Sequence, residues 1–520
     1  MSDLDELMNA RREKLRRLKE RGVDPYPRKF PFTHRLGEIR SAYGSLAAAG
    51  EAGGTLALPA PGASEARQAL ALPAPGAGES AETVAVAGRI VSWRDHGKSA
   101  FCHLEDATGR LQVYMKKDVL GEAVYAGLAD LDIGDFAGVK GVVMRTRTGE
   151  LTVKASSVEM LAKSLRPPPE KWHGLKDTDI RYRARHIDLA SSDAVREIFR
   201  VRAKAIALIR GYLDGNGYLE VETPVLQPLY GGAEATPFTT FYESLKTTYY
   251  LRISNELYLK RLLAGGLDRV YEFSKDFRNE GLDRMHTPEF TLLELYEAYA
   301  DYTDMMRRTE EIFRAVVTEI KGAPELVYQE RKMDFAAPWP RVEFVPALAG
   351  KLGFDPLAAA TEDLRRTAEN ARIPGAGKLT RPKLLDKLFG ELVQPDLWGP
   401  VFVVDHPIEL TPLAKAHRHD PRLAERFEPI LAGGELGNAF SELNDPAEQL
   451  KRFSAQQALK AEGDAETQEM DTDFLGVLEQ GMPPAGGLGI GIDRMIMILC
   501  DVTSIRETIL FPQLKPEKGE

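Results

Sequence analysis

Cysteine is nearly absent from this chain: 520 residues include only Cys102 and Cys500, far apart in sequence. Two such thiols exclude a disulfide framework and a cysteine-based zinc site, and they fit a reducing cytoplasm. No apolar run approaches a membrane span, and the opening MSDLDELMNA has no apolar signal core. Neither a dinucleotide-binding glycine fingerprint nor a P-loop occurs, so the common nucleotide folds are unsupported. What is present is a globular composition, 43% hydrophobic and 28% charged. The length is too great for a single core, and two or three domains are expected. The net charge of -10 argues against nucleic acid only on average, because charge acts locally.

The N-terminus shows that locality. Residues 11–30 hold nine Lys/Arg against three acids, and Leu4, Leu7, Leu15 and Leu18 recur at helical spacing. A basic amphipathic helical extension over 1–44 is expected, as an ordinary surface helix or as one that tracks phosphates. Residues 45–81 are Ala/Gly/Pro-rich and repeat LALPAPGA at 56–63 and 70–77. With no aromatic anchors, this insertion is expected to be disordered. From Glu82 to about 170, five short strand-like runs are punctuated by DHGKS, ATG and RTG. Five strands in so short a span suit a closed barrel of the oligonucleotide-binding (OB) type. After RPPPEKWHG comes a larger region, 171–520, in which helices and strands mix without βαβ alternation. The expected class is α+β, with a helical insertion near 330–400.

Three constellations stand out in this region. A helix carrying Val195, Ile198, Phe199, Ile206 and Ile209 leads into GNGYLEVETPVL, a strand stopped at Pro224. FRNEGLDRMHTPEF, 277–290, crowds Arg278, Glu280, Asp283, Arg284, His286 and Glu289 between two apolar runs. GGLGIGIDRMIMIL, 486–499, is a glycine-rich strand entering an apolar helix, with Arg494 near its start. Glycines there permit close approach of a flat ligand, and Arg494 supplies positive charge. A charged loop alone is most often solvated surface.

Together and in this order the three stretches resemble motifs 1, 2 and 3 of the class II aminoacyl-tRNA synthetases. The resemblance spans nearly everything outside 45–81, and the N-terminal barrel narrows it to the lysine, aspartate and asparagine subgroup. It implies an antiparallel catalytic sheet flanked by helices, a homodimer built through motif 1, and ATP, an amino acid and tRNA as partners. It also implies roles for single residues. Arg278 bridges the α-phosphate and the amino-acid carboxylate, Glu280 holds the adenine amino group, Phe290 stacks on the ring and His286 reaches the outer phosphates. Arg494 covers the other adenine face and the γ-phosphate. Glu435 and Glu442, in GGELGNAFSELND, are the implied Mg²⁺ ligands.

RISNELYLKRL, with Glu256, and TLLELYEAY, with Glu294 and Tyr296, look like the lysine enzyme. By that likeness Glu294 and Tyr296 meet the ε-ammonium of L-lysine, Glu256 and the backbone at Gly232 hold its α-amino group, and Asn438 helps with its carboxylate. Phe101, Gln112 and Glu150 match barrel positions that read an anticodon, here that of tRNA(Lys). GGAEATPF departs from the family in placing Thr236 where a basic residue is usual. A protein-lysylating relative would have no use for an anticodon barrel. A non-catalytic relic would have no reason to keep Arg278, Glu435, Glu442 and Arg494.

Excising residues 46–80 is expected to leave tRNA charging nearly unchanged, since each doubling of loop length costs only about 0.6 kcal/mol. Charging and soluble expression of the shortened chain check this; loss of either would make the segment structural.

Overall fold

The computed structural model describes residues 3–46, 79–168, 177–461 and 470–517, so residues 47–78 of the Ala/Gly/Pro-rich insertion and the 170/171 boundary lie outside the described residues. Residues 79–81, expected in that disordered insertion, instead open a barrel strand in which Ser80 Oγ accepts from the Val143 amide at 2.9 Å. The chain divides into two compact units, Met1–Trp172 and His173–Glu520.

The first unit is the expected five-stranded barrel: β1 (Glu79–Asp95), β2 (Ser99–Asp106), β3 (Gly109–Lys116), β4 (Phe136–Arg145) and β5 (Leu151–Ala162) close in the order β1-β2-β3-β5-β4. Period-2 alternation drives Ala100, Cys102 and Leu104 of β2, with Leu111, Val113 and Met115 of β3, into one core. Burial pushes the Cys102 thiol up to about 12, so it stays protonated. The N-terminal helix Asp3–Glu20 spends much of its basic face on the barrel. Arg11 donates to the carbonyls of Ser164 and Ile133, Lys14 pairs with Asp132 at 2.7 Å, and Arg17 and Arg21 both pair with Asp130. Leu18 is buried, whereas Leu4 and Leu7 stay exposed.

The second unit is α+β. A nine-stranded sheet has antiparallel pairing through its centre and parallel pairs at its ends, where Arg341–Glu343 joins Val401–Pro407 and Leu219–Glu220 joins Arg269–Phe277. The centre is the hairpin Arg269–Phe277/Glu289–Ala298, then the glycine-rich strand Ala485–Gly491, then Gly437–Ser441. The helix Asp193–Gly215 buries Ile198, Ala205, Ile209 and Leu213 in the core beneath the sheet. Its Arg202 donates to Asp493 Oδ1 at 2.5 Å and to Thr291 Oγ1 at 2.9 Å. Asp493 Oδ2 in turn accepts from the Thr291 amide at 2.7 Å, so one buried carboxylate ties all three sequence constellations together. Between residues 330 and 400, helices Phe344–Leu352, Thr361–Asn370 and Arg381–Leu392 share a separate apolar core, but Arg331–Asp334 and Arg341–Glu343 are strands.

Candidate active site

The central strands floor a cavity of about 540 Å³, lined by Gly232, Glu256, Arg278, Glu280, His286, Phe290, Glu294, Tyr296, Glu435, Asn438 and Arg494 among others. Every catalytic-domain residue to which the resemblance assigns a role is in that lining except Glu442. Register explains the room. Glu294 faces Gly489 and Tyr296 faces Gly487 across the sheet, so large side chains on one strand oppose bare backbone on the next.

At one end, acids dominate. Glu256, Glu294 and Glu442 are 6%, 5% and 1% exposed, and Tyr296 is 3% exposed. Ser254 Oγ donates to Glu294 Oε1 at 3.0 Å, and Tyr296 Oη donates to Glu294 Oε2 at 3.3 Å. Burial pushes the Glu294 carboxyl well above the usual range, and the negative charges of Asp276 and Glu256 push it further. Burial also raises Glu442 to about 8, against the pull of Lys260. The Lys260 ammonium, 0% exposed, lies 2.5 Å from Glu256 Oε1 and also pairs with Glu442. Gly232 closes this end with φ +85°. A Cβ there would stand 2.8 Å from Ser254 Oγ and 3.1 Å from Glu256 Cβ.

At the other end the loop 278–288 rises from the hairpin. The Arg278 guanidinium lies 5.1 Å from the centre of the Phe290 ring, and the Arg278 amide donates to the Pro288 carbonyl at 2.9 Å. The Asn279 amide donates to the Thr236 carbonyl at 2.8 Å, so the residue at the atypical position serves the loop through its backbone. Glu280 and His286 are exposed, and His286 Nδ1 lies 2.8 Å from Asp283 Oδ2. Arg494 donates to the Glu435 carbonyl at 2.6 Å, and its guanidinium lies 3.9 Å from the Glu435 carboxylate. Arg278, Phe290 and Arg494 thus offer two planar cations and a ring, a set able to clamp a nucleotide base and its phosphates.

Glu435 and Glu442 have different neighbours. Glu442 lies under the glycine strand with Lys260, whereas Glu435 is raised to about 7 by burial and then by Glu428. Glu428 is a carboxylate that the sequence does not single out. The turn at Ala432 and Gly433, both at positive φ, folds Gly434–Glu435 back on Leu423–Leu431 and sets Glu435 opposite Ile430, two residues from Glu428. Burial would raise the Glu428 carboxyl, but Arg426 and His406 outweigh it and hold it low. Glu428 precedes Glu435 by the same seven residues that separate Glu435 from Glu442, so spacing alone could not choose between them. Among the described residues no group of three or more His, Cys, Asp or Glu side chains converges as a metal cage.

In the barrel, Phe101 points away from the core on the outer face of β2. Its ring centre lies 4.7 Å from that of Tyr114, a neighbour that the sequence did not flag. Gln112 is buried, donating to Glu150 Oε2 at 2.7 Å and accepting from Thr152 Oγ1 at 2.8 Å; His103 also meets Glu150, at 2.9 Å. Glu150 and Gln112 therefore form one polar group beside one aromatic pair.

The family model described as "tRNA synthetases class II (D, K and N)" matches residues 177–515, and that described as "OB-fold nucleic acid binding domain" matches 84–161. Similar proteins include the lysine–tRNA ligase of Pelotomaculum thermopropionicum, 45% identical over 99% of this chain and 96% of the relative. That of Roseiflexus sp. is 46% identical over 99% of both chains. That of Aquifex aeolicus is 50% identical over 84% of this chain and 73% of the relative.

A Cβ on Gly487 would collide with the Glu442 carboxylate and the Tyr296 ring, whereas one on Gly476, inside a helix, meets nothing within 4 Å. Gly487→Ala is expected to destabilise the protein by about 1–3 kcal/mol through overpacking. Gly476→Ala should stabilise it by about 0.5–1 kcal/mol. Thermal unfolding of both variants checks this; equal midpoints would contradict the close approach at Gly487.

Proposed function

The chain belongs to the class II tRNA synthetases of the aspartate, lysine and asparagine group, and on that premise we propose that it joins L-lysine to tRNA(Lys) at the expense of ATP. The observation that carries the choice of amino acid is the trio of buried carboxylates, Glu256, Glu294 and Glu442, at one end of the cavity. An aspartate site needs a cationic pocket; an anionic one desolvates an ammonium without stranding it.

In the first step the lysine carboxylate attacks the α-phosphorus of ATP, and the P–O bond to pyrophosphate breaks, giving lysyl-adenylate. The protein's part is positioning and charge neutralisation, with no protein nucleophile. Arg278, at the foot of the loop, holds the α-phosphate against the carboxylate. Phe290 and Arg494 sandwich the adenine, Glu280 accepts from its amino group, and His286 reaches the outer phosphates. At the amino-acid end, Glu294 and Tyr296 receive the ε-ammonium with Glu442 beside them. Glu256 and the Gly232 backbone receive the α-ammonium, and Asn438, fixed by Arg426 Nε at 2.8 Å, faces the carboxylate. In the second step the terminal ribose hydroxyl of tRNA attacks the lysyl carbonyl and AMP leaves.

Hard carboxylate oxygens suit Mg²⁺, which keeps waters and substrate phosphates in its shell. Glu435 and Glu428, whose side chains are 42% and 13% exposed, fit that role, and Glu442, 0% exposed against Lys260, does not. When bound, the ion supplies neutralising charge to the phosphates. Exposed Leu219, Val225, Leu226 and Leu229 around motif 1 support a homodimer through that region. The two free cysteines support a cytoplasmic location. No helix among the described residues is long and apolar enough to cross a membrane.

Lysine-dependent ATP–pyrophosphate exchange followed by tRNA charging tests the reading; exchange driven by another amino acid instead would overturn it. Glu294→Gln keeps the shape and removes the charge. It should lower kcat/KM for lysine a few hundred- to a few thousand-fold, from a stranded ammonium worth about 3–5 kcal/mol. Norleucine, with no ε-ammonium, should lose far less, and equal losses would move Glu294 out of the lysine pocket.

Glu435→Gln and Glu428→Gln should each shift the Mg²⁺ dependence of exchange. Unaltered titrations in both would contradict the metal assignment.

Phe101→Ala should weaken tRNA charging by about 1–3 kcal/mol of lost stacking while sparing exchange. Parallel damage to both assays would make Phe101 structural.

A further inference from the structure

We propose that Lys260 is a positioning and specificity-determining residue of the amino-acid site: its ammonium fixes Glu256 and Glu442 and sets the site's charge so that a substrate bearing two ammonium groups completes it. The proposal rests on the lysine reading above.

Lys260 does not line the cavity, and the activation step assigns it no role. It is nevertheless 0% exposed, one helical turn after Glu256 in Glu256–Ala264. Its Nζ lies 2.5 Å from Glu256 Oε1, pairs with Glu442, and stands 5.4 Å from the centre of the Phe440 ring. A leucine or methionine would fill such a position at lower cost, since burying an ammonium is unfavourable unless it is fully paired. Burial does act to lower its pKa, but Glu256 and Glu442 outweigh it and keep the group charged.

A charge count gives the ammonium its purpose. Glu256, Glu294 and Glu442 surround the amino-acid end, and Lys260 is the cation that meets two of them. The neighbouring acids Glu272 and Glu428 are paired elsewhere, with Arg252 at 2.6 Å and Arg426 at 2.5 Å, while burial lifts the carboxyl of Asp276, 3.1 Å from Arg252, to about 6. Once ionised, three carboxylates against one internal ammonium leave two negative charges. The α- and ε-ammonium groups of lysine supply two positive ones, and its carboxylate goes to Arg278. An amino acid with an uncharged side chain leaves one buried carboxylate uncompensated. Lys260 also links the site's two ends, because Glu256 serves the α-amino group and Glu442 lies with Tyr296 against Gly487, on the ε side.

The test is pyrophosphate exchange with KM measured separately for lysine and ATP, first on the wild type. Absence of lysine-dependent exchange there would overturn the functional reading itself, before any variant is compared. Lys260→Met is then expected to raise KM for lysine on the order of a hundredfold and to leave KM for ATP within about threefold. Cadaverine, which carries both ammonium groups and no carboxylate, should lose its inhibition in parallel. An unchanged lysine KM, or equal rises for lysine and ATP, would overturn the proposal. Should Lys260→Met fail to fold, the double variant Lys260→Met/Glu442→Gln removes both members of the pair and is expected to fold again. A double variant that also failed to fold would make Lys260 a packing residue and overturn the proposal.

Discussion

Three carboxylates buried around one internal ammonium form the constraint on which the rest of the second unit depends. Each acid taken out of water costs several kcal/mol unless a positive partner is held close, and side chains alone cannot supply enough partners here. The sheet is shaped accordingly. Gly487 and Gly489 leave the floor bare opposite Tyr296 and Glu294, Gly232 lets the backbone approach Glu256, and the carboxylate of Glu442 occupies space that a Cβ on Gly487 would take. A site built in this way has unmet charge and shape together, and a dicationic amino acid meets both.

The nucleotide end follows a different logic. Its groups are more exposed, and Arg278, Glu280 and His286 sit on a loop whose stem is the sheet's central hairpin. The buried Asp493 holds the hairpin, the glycine-rich strand's helix and the long helix Asp193–Gly215 through Thr291 and Arg202. Arg278 thus stands at the foot of a stem that is tied to two helices, and rigid placement is what an in-line displacement requires.

Much of this was legible in the sequence because period and punctuation agree. β1–β5 follow the alternating runs and turn signals closely, and the charged loop lies between the two strands flanking it. Eleven of the twelve catalytic-domain residues to which the resemblance assigns a role line the cavity. Failure came where two candidates share one spacing. Seven residues separate Glu428 from Glu435 and Glu435 from Glu442, and only the reversal at Ala432 and Gly433 decides which carboxylate stands beside Glu435. Lys260 was invisible for another reason: in ELYLKRL it reads as one more surface lysine, and only its pairing with Glu442, 182 positions away, buries it. The basic N-terminal helix likewise could not reveal that Arg11, Lys14, Arg17 and Arg21 are taken up by the barrel.

The central claim is that the buried carboxyls of the amino-acid site keep protons that leave when two ammonium groups arrive. Calorimetric titration of L-lysine at pH 7, in buffers of different ionisation enthalpy, measures those protons directly. Burial raises the Glu442 carboxyl to about 8 and holds Glu294 well above its usual range, so the account requires net proton release on binding. A binding enthalpy independent of the buffer, or proton uptake, would contradict it.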